Sequence, residues 1–396
     1  MIITKVIGDC PKCNKPHCFG NVSVFEDHLL RGCSECSYSI HLPLPQIQKK
    51  VLYLDQFFFS GAFRGNDPRF VDAAHRVKKI AQLQLLVAPH SSIHEDETFQ
   101  WRGHKEFTST KLLDFIKESS RGLEFHPDYE VEATQVTKAW KLFLDGAPST
   151  YAIDRREAIS GALNEWESYY RINVPGYYKN AELCRALKEE AVDTLIKVFD
   201  EWQKSANTFK EDVDIETNAT AELYLNSYIT MINRIIDGDA SATLDSPIVS
   251  QVVEQMIDWL PKEQPLLDKI KTCIEFFKSE HFKQTPSIYI STRIYATLKS
   301  MVKLGAYANR TNARKKLNGV FGDIKHISLY APYCDAFFMD QPMADLVRQP
   351  SVSLEKRYGV RVFSLNNLPQ FYEWLDQLES EMTSEHRAAV DSAYPR

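Results

Sequence analysis

Two short cysteine pairs constrain the start of this chain more than any other feature. Cys10-Pro-Lys-Cys13 and Cys33-Ser-Glu-Cys36 are C-x2-C knuckles with residues 14–32 between them. Each knuckle bends the backbone so that two thiolates reach one ion, and two knuckles supply a closed tetrahedral set. The intervening NVSVFEDHLLRG, residues 21–32, suits a hairpin. A segment this short has no room for its own apolar core, so a metal takes the core's place. The expectation is a zinc ribbon over residues 1–46, held by Cys10, Cys13, Cys33 and Cys36. Four thiolates leave no open position for water or substrate, so Zn2+ is read as structural. Cys18, next to His17, is an alternative ligand with a less natural spacing. Disulfides are the competing explanation, and they call for an oxidising compartment.

The opening MIITKVIGDCPKC has no basic segment followed by an apolar one, and no later stretch approaches about 18 uninterrupted apolar residues. The chain is therefore expected in the cytoplasm, without a membrane span. At 396 residues it exceeds one ordinary core, so two or three domains are expected. A formal net charge of -6 lacks the signature of a basic nucleic-acid-binding tail, but says little about any one cleft.

Beyond the Pro-marked HLPLPQIQ, the chain reads strand, acid, helix: an apolar run at residues 51–54, then Asp55, then an amphipathic stretch. Residues 83–88 form a second strand, followed by a Pro-Ser turn and a helix whose first turn carries Glu95, Asp96 and Glu97. From 105 to 310, long helical patterns dominate. The chain then returns to helix and strand, with apolar runs at 336–339 and 360–364. Alternating strands and helices imply a parallel sheet. The fold class is α/β: residues 47–104 and 311–396 form one domain, interrupted by a helical insertion at 105–310.

Ligands of open parallel sheets bind beyond the carboxyl ends of the strands. Asp55 and Asp340 end strands there, Glu95 lies in the first turn after the second strand, and Asp323 follows Gly322 at a helix start. Singly, each has a plain explanation as a cap or a partner of a helix dipole. Together they would repel one another unless a cation neutralised them, and oxygen-only ligation suits Mg2+ or Mn2+.

The order and local context of Asp55 in VLYLDQ, Glu95 in VAPHSSIHEDE, Asp323 in GDIKHI and Asp340 in CDAFFMDQ resemble the PIN-like nuclease domain. The resemblance implies a parallel α/β sheet flanked by helices, with these four acids holding Mg2+ or Mn2+ for phosphodiester hydrolysis. It also implies RNA as the preferred substrate, with a toxin or antiviral setting by analogy. It spans residues 47–100 and 311–396 and does not account for the insertion. Gln56 departs from the Ser or Thr many members carry near the first acid. Glu97 and Asp335 stand in reserve for Glu95 and Asp323; Asp335, at the far end of its strand, lies roughly 16 Å from Asp340 if the strand is regular.

Other residues have plainer readings. Ser91 and Ser92 suit a turn and a cap, His326 a packed or surface histidine, and Phe57, Phe58 and Phe59 mostly core. Basic residues at Arg310, Arg314, Lys315 and Lys316, or at Arg64, Arg69, Arg76, Lys78 and Lys79, could flank a nucleic-acid strand or simply be a solvated face. The ribbon could meet nucleic acid or a partner protein, and the insertion could cover the cleft or support a homo-oligomer. Two alternatives remain. One is a zinc-ribbon module that binds nucleic acid or a partner without cutting. The other is a phosphatase of the haloacid-dehalogenase type, which requires a second Asp where Phe57 stands.

Overall fold

The computed structural model describes the chain except residues 102, 104–106, 160, 167–180, 318 and 396. Strands β1 (Lys5–Gly8), β2 (Phe19–Val24), β3 (His28–Cys33) and β4 (Ser39–Pro43) form an antiparallel sheet in sequence order. One cysteine knuckle follows β1; the other starts on Cys33, the last residue of β3, and leads into the turn before β4. This sheet docks on the C-terminal helix Ser384–Ala393, where Asn21 Nδ2 donates to the Ser392 and Ala393 carbonyls and Val24 and Leu29 pack near Val390.

A second sheet is wholly parallel, in the order β6 (Leu86–Val87), β5 (Lys50–Leu54), β7 (Ala336–Phe338) and β8 (Arg361–Phe363). Its central pair matches Leu52 to Ala336 and Leu54 to Phe338, so the two ends of the chain meet in one sheet. The strands are buried on both faces, as parallel strands covered by helices are. Leu52, Leu54, Ala336 and Phe338 face a core with Phe58, Phe70, Phe371 and Trp374. Val51, Tyr53, Phe337 and Val362 face the other, with Ile324, Ile327 and Tyr330.

The helical stretch is less separate than its sequence suggests. Leu112 and Ile116 join one face of the sheet, and Ile290, Ile294 and Leu298 of the helix Pro286–Lys303 join the other. A third core, with Trp140, Tyr224, Met256 and Phe276 at its centre, is built almost wholly by helices. Helices from both parts of the 105–310 stretch therefore share cores with the sheet. Among the described residues, no helix is long and apolar enough to cross a membrane.

Candidate metal centre and acidic sheet edge

The four knuckle cysteines converge. Cys10, Cys13, Cys33 and Cys36 are the one set of three or more potential ligand side chains, among the described residues, whose ligand atoms all lie within 4.8 Å of one another. Cys10 Sγ is 3.7 Å from Cys36 Sγ, and Cys13 Sγ is 3.8 Å from Cys33 Sγ. Zn–S arms of about 2.3 Å give a tetrahedron with edges of about 3.8 Å, so the spacing fits a tetrahedral metal. It is far too long for a disulfide, whose sulfurs stand about 2 Å apart.

Burial opposes ionisation at Cys10 and Cys33, but backbone amides outweigh it. Lys12 and Cys13 donate to Cys10 Sγ at 3.4 and 3.5 Å, and Glu35 donates to Cys33 Sγ at 3.3 Å. The Cys10 thiol is lowered, and that of Cys33 falls to about 6. Cys18 has another role. Its Sγ donates to the Lys15 carbonyl at 3.1 Å and lies 3.4 Å from Cys33, and burial beside that sulfur pushes its thiol up to about 12. It lies outside the set of four whose ligand atoms converge.

At the carboxyl edge of the parallel sheet, Asp55 leaves β5 and caps the helix Gln56–Arg64, its amide donating to Phe338 at 3.0 Å. Asp340 follows β7 and caps the helix Gln341–Val347, its Oδ1 accepting from the Met343 amide at 2.9 Å. Asp323 lies in the first turn of the helix Val320–Tyr330. Burial, and then the charges of Glu97 and Asp340, push the Asp55 carboxyl up to about 8. Asp323 is raised well above the carboxylate range by burial and by Asp55, Glu97 and Asp340, while Asp340 is raised by burial.

Glu95, the acid expected in this group, points elsewhere. It pairs with Lys117 at 2.9 Å and lies 3.7 Å from His90 Nε2. Glu97 takes its place beside Asp55 and Asp323: two positions along a helix turn the side chain through about 200°, so only one of the pair can face the edge. Two glycines make room. A Cβ at Gly322 would stand 3.0 Å from Glu97 Oε1, and one at Gly319 would stand 3.1 Å from Asp323 Oδ2. Asp335 is at the other end of β7, accepting from the Val51 amide and paired with Lys50 and Arg155.

Two residues add to this edge beyond the acids. Lys188, on the helix Ala181–Lys197, places its ammonium 3.1 Å from Glu97 Oε1. His326 shares a small cavity with Asp55, Asp323, Met339 and Met343; its volume of about 10 Å³ holds about one water-sized particle. The ring is 2% exposed, and its Nδ1 is 2.8 Å from Tyr53 Oη. Tyr53 Oη is also 3.1 Å from Ser91 Oγ, which is 3.0 Å from His94 Nδ1. No local pattern announces Lys188, which sits on the face of an ordinary amphipathic helix. His326, one turn beyond Asp323, had a signal in its spacing alone.

The basic groups are largely engaged. Arg69 pairs with Asp67, Arg76 with Asp72, Lys78 with Glu118 and Lys79 with Glu379; Arg310 pairs with Asp200 and Arg314 with Asp193. Phe58 and Phe59 are core, while Phe57 is 37% exposed and meets Phe70 edge to face. Gln56 Nε2 donates to Thr98 Oγ1 at 2.9 Å, tying together the helices that carry Asp55 and Glu97. Comparison with protein-family models, with curated proteins and with solved structures finds no match to this chain.

Proposed function

We propose that the chain is a metal-dependent nuclease of the PIN-like kind, an endoribonuclease, with Asp55, Glu97, Asp323 and Asp340 holding Mg2+ or Mn2+ and Zn2+ filling the four-cysteine site. The observation that carries this reading is the set of four carboxylates at the carboxyl edge of a parallel sheet, where burial and the charges of Glu97 and Asp340 push Asp55 up to about 8, and burial with the charges of Asp55, Glu97 and Asp340 raises Asp323. A set of this kind gains most from a bound cation, which restores the charged form of each carboxylate. When bound, divalent cations activate a water and stabilise charge on a phosphodiester. The chain's own residues supply the frame. The Met343 amide orients Asp340, the Gln56–Thr98 hydrogen bond holds two helices in register, and Gly319 and Gly322 leave space for carboxylates. RNA as substrate rests on the resemblance in sequence to PIN-like nucleases.

A second reading, a module that binds nucleic acid or a partner without cutting, draws on the Lys188–Glu97 ion pair, since an ammonium already neutralises one of the four acids. Labelled RNA separates the two. The nuclease reading expects degradation with Mn2+ or Mg2+, arrest by EDTA, and loss of activity in folded Asp55→Asn and Asp340→Asn proteins. Intact RNA across several substrates with the metal-loaded wild type would sink the nuclease reading in favour of the binding module.

A further inference from the structure

His326 is set apart by a chain of hydrogen bonds whose direction can be worked out atom by atom. At its far end, His94 Nε2 lies 2.8 Å from the Leu54 carbonyl, which can only accept, so Nε2 carries a hydrogen. His94 Nδ1 receives the Ser91 amide at 3.0 Å, so it carries none. Ser91 Oγ, 3.0 Å from that bare nitrogen, must therefore donate to it and spends its only hydrogen there. Tyr53 Oη must in turn donate to Ser91 Oγ at 3.1 Å. The 2.8 Å contact between Tyr53 Oη and His326 Nδ1 can then be filled only by the Nδ1 hydrogen of His326. Both histidines are held neutral by burial, His326 near 3.

The consequence falls on the other ring nitrogen. With the hydrogen fixed on Nδ1, Nε2 presents a bare lone pair. It has no hydrogen-bond partner among the described residues, although His326 is almost wholly buried. An unmatched acceptor in a buried place is costly, and the residue that carries it lines a cavity together with Asp55 and Asp323, whose carboxylates are themselves acceptors when ionised. A cation in that space would restore the ionised form of both carboxyls and receive their lone pairs together with that of the imidazole. The Nδ1–H to Tyr53 hydrogen bond is also the outer contact that characteristically orients a metal-bound histidine and fixes its tautomer.

We propose that His326 Nε2 is a metal ligand alongside Asp55 and Asp323, making the acidic edge a mixed nitrogen and oxygen site that takes a first-row transition dication such as Mn2+ in preference to Mg2+. This rests on the carboxylate reading above and deepens it: imidazole nitrogen favours transition metals, whereas all-oxygen ligation suits Mg2+. Tyr53, Ser91 and His94 are positioning residues for the nitrogen. The site would draw its ligand atoms closer on loading, since they are more loosely grouped than the cysteine sulfurs.

The test uses the full chain with zinc in its ribbon, titrated with Mn2+ and examined by pulsed electron paramagnetic resonance. The expected result is a nitrogen coupling on bound Mn2+, at least about tenfold tighter binding of Mn2+ than of Mg2+, and loss of the coupling in His326→Gln. That variant should bind Mn2+ about tenfold more weakly, with Mg2+ binding little changed. Bound Mn2+ without nitrogen coupling in the wild type would overturn the proposal while leaving the carboxylate site standing. No bound Mn2+ at all would overturn both. The wild-type spectrum requires no variant, so the outcome does not depend on whether His326→Gln folds.

Discussion

The ammonium of Lys188 sits 3.1 Å from Glu97 Oε1, which brings a helix from the middle of the chain into the acidic edge built by its two ends. A fixed positive charge beside the carboxylates competes with a divalent cation. Lys188→Gln should therefore raise Mn2+ or Mg2+ affinity by roughly three- to tenfold and lower stability without added metal by about 1 kcal/mol. Calorimetric metal titration and thermal melts check the two effects. Weaker cation binding in the variant would show that Lys188 supports the site.

Gly322 and Glu97 make a second testable pair. A methyl group at Gly322 would stand 3.0 Å from Glu97 Oε1, the far end of a flexible side chain that can swing aside at little energetic cost. Alanine is also the better helix former by roughly 0.5–1 kcal/mol. Gly322→Ala should melt at or slightly above the wild-type temperature, yet lose most metal-dependent cleavage because Glu97 is displaced. Full activity in that variant would remove Glu97 from the working set.

Asp55 gives the pH dependence. Its carboxyl is pushed from the ordinary 3.8 to about 8 by burial and by Glu97 and Asp340, so the folded chain holds this proton more tightly than the unfolded chain does. The sign follows from linkage: the penalty is absent below about 4, grows as pH rises from about 4 to 8, and is complete above that. In buffer without added divalent cations, Asp55→Asn should stabilise the protein by about 1–3 kcal/mol at pH 8 and by much less at pH 5. Equal destabilisation at both pH values would contradict this account of the acidic edge.

The ribbon makes a separate prediction. One equivalent of zinc should be lost in Cys10→Ser and in Cys36→Ser, whereas Cys18→Ser should retain it because Cys18 stands outside the ligand set. Unchanged zinc in Cys36→Ser would reject this set of ligands.

What could be read in the sequence was whatever depends on local order. The knuckles carry their own spacing, and Asp55 and Asp340 each follow an apolar run that ends in a strand, so both could be placed at a strand end from a handful of residues. The choice between Glu95 and Glu97 could not be made that way. They share a helix, and only Lys117 and His90 on one side, with Asp55 and Asp323 on the other, decide which carboxylate turns inward. Lys188 was invisible for the same reason, since its partner is 91 positions away in the chain. The unmatched nitrogen of His326 depends on a run of hydrogen bonds through Tyr53, Ser91 and His94, which no linear pattern encodes. That helices of the 105–310 stretch share cores with the sheet was not legible, because amphipathic helices announce an apolar face without saying which core receives it.

Whether the acidic edge holds a metal is read most directly from a crystal of the full chain equilibrated with Mn2+ and measured for anomalous scattering. A zinc ion bound at the four cysteines would serve as the internal reference. A second anomalous peak is expected at the carboxyl edge of the parallel sheet, within bonding distance of Asp55 and Asp323. A peak at the cysteines alone, with the carboxylates well ordered and no scatterer among them, would contradict it.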